Sequence, residues 1–134
     1  MTDRKPTDAE LEILSVLWKS GPCTVKQVHQ ALPDHHLRGY TTVLKLLQIM
    51  STKGLVKRDE HQRAHIYEAA VTAEQTQRNM LAHLVDRAFA GSTNRLIMQA
   101  LKSQGTTEEE LKEIRQLLDK MEHEHNDGAT HNHD

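Results

Sequence analysis

The sequence holds a single cysteine, Cys23, so no intrachain disulfide framework can staple it. Aromatic residues make up 3%, namely Trp18, Tyr40, Tyr67 and Phe89. So few rings argue against an all-β sandwich, whose core usually draws on aromatic and β-branched side chains. No apolar run approaches the roughly 20 residues that cross a bilayer. The first 20 residues show no apolar stretch of secretory type, because Asp3, Arg4, Lys5, Asp8, Glu10 and Glu12 interrupt them. No catalytic arrangement is organised either. There is no glycine-rich phosphate loop, no His-Glu-x-x-His and no nucleophile placed with a base. Glu108, Glu109 and Glu110 suit the positive end of a helix rather than acid–base work. What is present is a chain of 134 residues, 37% apolar and 27% charged, with mean hydropathy −0.68. These features describe a mostly helical protein, not an enzyme, needing no cofactor and expected in the cytoplasm with no membrane partner.

The net charge of −2 conceals a split. Residues 1–70 carry ten Lys and Arg against eight Asp and Glu, and residues 71–134 carry seven against eleven. Within 20–67 the balance is seven basic to three acidic. One half is suited to an anionic partner and the other is not.

Helix starts are well marked. Thr7 with Glu10, Thr24 with Gln27, Thr72 with Gln75 and Thr107 with Glu110 have capping-box spacing, and Ser92 reads as a fifth cap. Stops fall at Gly21-Pro22, Pro33, Gly54, Gly91 and Gly105. Apolar residues at 3–4 spacing predict a first helix over 8–19, with Leu11, Leu14, Leu17 and Trp18 inward. A second helix over 25–32 turns Val25, Val28 and Leu32 inward. A third over 40–53 turns Val43, Leu44, Leu47 and Met50 inward. The period then changes, and 55–59 and 64–69 read as two short strands around a turn at 59–62. Three more helices follow, over 73–90, 93–103 and 108–123. The expected fold class is mainly α with a small β-hairpin wing. A winged helix-turn-helix domain spans 1–70, a helical dimerisation domain 71–122, and a disordered His-rich tail 123–134.

In the winged arrangement the third helix enters the major groove and the wing meets the backbone. With the inward positions removed, the third helix presents Thr41, Thr42, Lys45, Gln48 and Thr52. Residues 40–54 contain two lysines and no carboxylate to repel phosphate. Thr41 and Thr42 at the helix start can take a phosphate or a base edge. Lys45 can reach guanine or phosphate, and Gln48 is the residue type that reads adenine. Arg38 and Tyr40 flank the helix start and suit phosphate, and Lys57, Arg58, Arg63 and His65 lie on or near the wing. The same polar face also suits a solvated surface on a protein-binding module.

Several separated motifs then agree with one known family. They are Thr7-Asp-Ala-Glu-Leu-Glu-Ile-Leu, Val16-Leu17-Trp18, Thr24-Val-Lys-Gln-Val, Tyr40-Thr-Thr-Val-Leu, Lys53-Gly-Leu-Val-Lys-Arg58 and Arg63-Ala-His-Ile-Tyr67. In order and register over about residues 7–70, the chain resembles the penicillinase-repressor family, which includes β-lactamase, methicillin-resistance and copper-responsive repressors. The resemblance implies a sequence-specific transcriptional repressor, homodimeric on a dyad operator in double-stranded DNA, with an upstream sensor or protease as a further partner. Leu84, Phe89 and Ile97 are the dimerisation residues singled out. The chain departs from the pattern where Gln48 stands in place of a frequent arginine, and the wing turn lacks the usual glycine. The Asn-Phe bond cleaved in β-lactam-responsive members is missing from the corresponding stretch, 96–101. The C-terminal cysteine motif of copper-responsive members is missing too, since no cysteine follows Cys23.

The alternative reading is a metal-responsive regulator sensing through its tail. His123, His125, His131 and His133 are four of the ten histidines, and imidazoles hold Zn, Cu or Ni. A solvated tail with weak metal affinity is the blander account. His61 and His65 are four apart but fall on the wing, where phosphate contact or solvation suits them. Cys23 precedes a helix cap, which lowers a thiol's pKa when exposed, whereas a buried small residue is inert.

Overall fold

The computed structural model describes residues 5–61 and 63–131, with side chains up to residue 127. The element order is α1 (Asp8–Ser20), β1 (Cys23–Thr24), α2 (Val25–Ala31), α3 (Tyr40–Lys53), β2 (Val56–Asp59), β3 (Ile66–Ala69), α4 (Ala73–Ala88), α5 (Thr93–Ser103) and α6 (Glu108–His131). The fold is thus mainly helical with one small sheet. Its contacts divide it into two compact units, up to Leu84 and from Val85 onward. That division falls inside α4, whereas the sequence places a boundary at 70/71.

Local chemistry sets the ends of the elements. Complete capping boxes start α1 at Thr7 and Glu10, and α2 at Thr24 and Gln27. Thr107 and Glu110 exchange the same pair of bonds before α6. Ser92 caps α5 by accepting from the Arg95 N–H. Thr72 accepts from the Gln75 N–H, the half of its box that forms. Gly54 closes α3 at φ +82, a left-handed conformation that glycine adopts without steric cost, and the Leu55 N–H donates back to the Met50 carbonyl. That turn delivers the chain directly into β2.

The first unit is built around Ile13, Leu14 and Leu17 of α1, Val25 and Val28 of α2, and Val43, Leu47 and Met50 of α3. Leu32, Leu55, Val56 and Tyr67 close this core. Leu11, Trp18 and Leu44, expected inside, are half-buried instead, and Ile13 takes the central place. The indole N–H of Trp18 donates to the Val71 carbonyl at 2.9 Å, tying α1 to the segment that leads into α4.

The sheet is antiparallel in the order β1-β3-β2. Val56 pairs with Ala69, Lys57 with Glu68, Arg58 with Tyr67 and Asp59 with Ile66. Two findings differ from the sequence expectation. First, β1 is a third strand, pairing Cys23 with Tyr67 and Thr24 with Ile66. Second, the wing turn is longer, because Ala64 and His65 lie outside β3. Asp59 Oδ1 accepts from the His61 N–H at 2.9 Å and turns the chain immediately after β2.

The tail expectation is corrected over 123–131. There α6 continues without a break to His131, well past Glu122. No proline stands in its path, and the His123 imidazole lies 3.5 Å from the Asp127 carboxylate one turn on, a helix-spaced pair. Residues 132–134, with His133, lie outside the described residues.

Candidate nucleic-acid interface

The third helix divides cleanly by face. Val43, Leu47 and Met50 are buried, while Tyr40, Thr41, Thr42, Lys45, Gln48 and Thr52 are exposed. Every residue that sequence reading placed on the outward face is therefore at the surface. Ile49 shares that surface, a large apolar group the pattern did not single out. The α3 N-cap is Gly39, with no side-chain cap bond, so no hydroxyl or carboxylate caps the first turn.

The cations sort into two sets. Lys45 makes no ion pair among the described residues, nor do Lys57 on β2 and Arg63 in the wing turn. His65 is exposed beside Arg63. The others are engaged. Arg58 donates from Nε and Nη2 to the Glu60 carboxylate, the Nε bond being 3.1 Å. The Arg58 guanidinium and, more weakly, the imidazoles of His65 and His61 hold the Glu60 carboxyl below the usual carboxylate range. Arg58 thus stands on the wing in an exposed pair with Glu60, a contact of little strength in water.

Arg38 departs furthest from the expectation of a phosphate contact. Its Nη2 donates to Glu12 Oε1 at 3.1 Å, and its Nε lies 3.0 Å from Asp34 Oδ2. Its side chain is only 26% exposed. His29 Nε2 lies 2.6 Å from the Arg38 carbonyl, which can only accept, so that nitrogen carries the proton. Backbone and side chain of Arg38 are both fixed to the body of the unit.

Lys53 is likewise engaged. Its Nζ donates to Glu10 Oε1 at 2.8 Å and Oε2 at 3.0 Å. Of the two lysines counted on the third helix, only Lys45 is open to a ligand. Glu10 is 2% exposed and also accepts from the Thr7 N–H at 2.9 Å. Burial alone pushes its carboxyl up, but the bonds from Lys53 and Thr7 outweigh burial and hold it below the usual range. Sequence reading missed Glu10 and Glu12 as parts of this site. The available signal was Glu10 at the head of the stripe Glu10, Ile13, Leu14, Leu17, where a charge facing the core demands a partner.

Cys23 is buried, its thiol donating to the Gly21 carbonyl at 3.3 Å, and burial pushes its pKa up, the opposite of a reactive thiolate. Among the described residues no group of three or more His, Cys, Asp or Glu stands close enough to hold a metal. No described helix is long and apolar enough to cross a membrane. Leu84 and Ile97 are exposed and Phe89 is half-buried.

Three packed helices, a carboxylate-free third-helix face and an adjoining antiparallel wing define a winged helix-turn-helix protein. A sequence profile described as penicillinase repressor matches residues 6–120. The chain belongs to the penicillinase repressor family, and families of this kind comprise transcriptional repressors rather than enzymes. It is 41% identical over 61 residues to the transcriptional regulator BlaI of Mycobacterium tuberculosis, in strains CDC 1551 / Oshkosh and H37Rv alike. That stretch covers 45% of this chain and 44% of the relative, so the match spans less than half the length of those proteins. It is 23% identical over 113 residues to the penicillinase repressor of Bacillus licheniformis, covering 84% of this chain and 88% of that one. Among solved structures, similarity extends to the monomeric form of Bacillus licheniformis BlaI in complex with the blaP half-operator. There the identity is 23% and the TM-score 0.45, over 52% of this chain and 84% of that one.

Proposed function

We propose that this chain is a sequence-specific DNA-binding transcriptional repressor that acts as a homodimer on a dyad operator. The observation that carries the reading is the outward face of α3. Thr41, Thr42, Lys45 and Gln48 stand exposed with an unpaired ammonium among them, and no acidic residue lies between Tyr40 and Gly54. Lys57 and Arg63 extend the unpaired positive charge onto the wing. Such a surface gains from phosphate through counterion release and reads base edges through its polar tips. Ile49 on the same face suits the apolar contact that a thymine methyl offers. Membership of the penicillinase repressor family supports the same reading.

The dimer part of the proposal rests on apolar exposure. Leu81 and Leu84 on α4 are 48% and 44% exposed. In the second unit Ile97, Met98, Leu117, Leu118 and Met121 range from 43% to 55%. Large apolar groups this exposed suit burial against a second copy, which would present the same residues again. The experiment is selection of bound duplexes from a random-sequence pool by the full chain, followed by binding at several salt concentrations. Recovery of a dyad sequence, with affinity falling steeply as salt rises, supports the reading. Retention of no sequence above random rejects it.

A further inference from the structure

Two carboxylates, two residues apart on α1, reach opposite ends of α3. Glu10 holds Lys53 at the last position of the helix, and Glu12 holds Arg38 two residues before its first. Between those ties lie 14 residues, about 20 Å of helix. The N-terminal tie replaces a missing device. Thr7, Thr24, Ser92 and Thr107 fix the starts of their helices through side-chain caps, whereas Gly39 makes none. Arg38 fixes that start instead, gripped by Glu12 and Asp34 through its guanidinium and by His29 through its carbonyl. The C-terminal tie places a carboxylate in the apolar stripe of α1. A buried ion pair contributes little net stability compared with well-packed apolar residues, but it specifies position, because each partner is costly anywhere else.

We propose that Glu10, Glu12 and Arg38 are positioning residues for base reading. They set where Thr41, Lys45 and Gln48 stand on the unit and do not themselves touch DNA. The inference rests on the DNA-binding reading above. It uses a duplex selected from a random pool by the wild-type chain and a scrambled duplex of the same composition.

Glu12→Gln, at a half-exposed position where folding is retained, should lose about tenfold in affinity for the selected duplex. Its affinity for the scrambled duplex and its salt slope should stay as in wild type. Glu12→Asp, which keeps a carboxylate for the Arg38 guanidinium and leaves its pair with Asp34 in place, should retain more of that affinity than Glu12→Gln. At the other end, Glu10→Gln with Lys53→Gln keeps the capping geometry, removes the charges and should lower discrimination in the same way. A purely structural role would shift the thermal midpoint yet leave the ratio of the two affinities unchanged in folded protein, which overturns the proposal. Arg38 as a phosphate ligand would also overturn it. Arg38→Gln would then weaken both duplexes alike and reduce the salt slope by about one. If the wild-type chain selects no duplex, the DNA-binding reading itself fails.

Discussion

Glu10 carries three tasks at once. It closes the capping box of α1, neutralises Lys53 and fills a core-facing position. Its carboxyl is held below the ordinary 4.5, so ionised Glu10 favours the folded state. That stability is fully present above the unfolded value and is lost as pH falls through the lower folded one. The urea midpoint of wild type should therefore fall as the pH drops below the ordinary carboxylate value, and Glu10→Gln should flatten that part of the profile. Glu10→Ala, which removes cap and pair together, should cost about 2 kcal/mol at neutral pH. A Glu10→Ala chain as stable as wild type would show that the pair and cap contribute nothing. The cap was legible in the spacing of Thr7 and Glu10, whereas the ion pair was not. The stripe on α1 announces a buried charge, but Lys53 lies 43 residues away in sequence, so only packing identifies the partner. The same holds for Glu12 and Arg38, which sequence spacing set apart as a signal interruption and a phosphate contact.

The elements themselves were largely legible, because they rest on local chemistry. Capping hydroxyls, glycine and proline stops and 3–4 apolar spacing placed α1, α2 and α3 within a residue or two of their observed ends. β1 escaped because two residues cannot display an alternation, and it forms only where β3 arrives to pair with it. The end of α6 escaped because polar composition was read as disorder, although nothing before Gly128 breaks a helix. Two predictions concern single elements. Lys45→Ala on α3 should leave thermal unfolding unchanged and weaken binding to a selected duplex by about 1–3 kcal/mol. Unaltered binding with an unaltered salt slope would remove α3 from the interface. At the end of α4, Ala90 adopts φ +51 ahead of Gly91 at φ +77. A Cβ there is strained, so Ala90→Gly should stabilise the chain by about 1 kcal/mol, seen as a higher urea midpoint.

For the whole chain, charge and exposed apolar surface divide the work. The basic, polar face belongs to the first unit, and among the described residues five of the ten exposed large apolar side chains belong to α5 and α6. A single winged unit makes too few contacts to select one site from a genome, and joining two gains through effective concentration. Leu118→Asp should accordingly yield a monomer by sedimentation, with operator affinity lowered far more than Lys45→Ala lowers it. Sedimentation of the wild-type chain at micromolar concentration, alone and on a selected duplex, tests the central claim most directly. The account predicts a dimer in solution and two copies per duplex, with half-sites spaced by about 10 bp or a multiple of it. A monomer that binds its duplex tightly as one copy would contradict it.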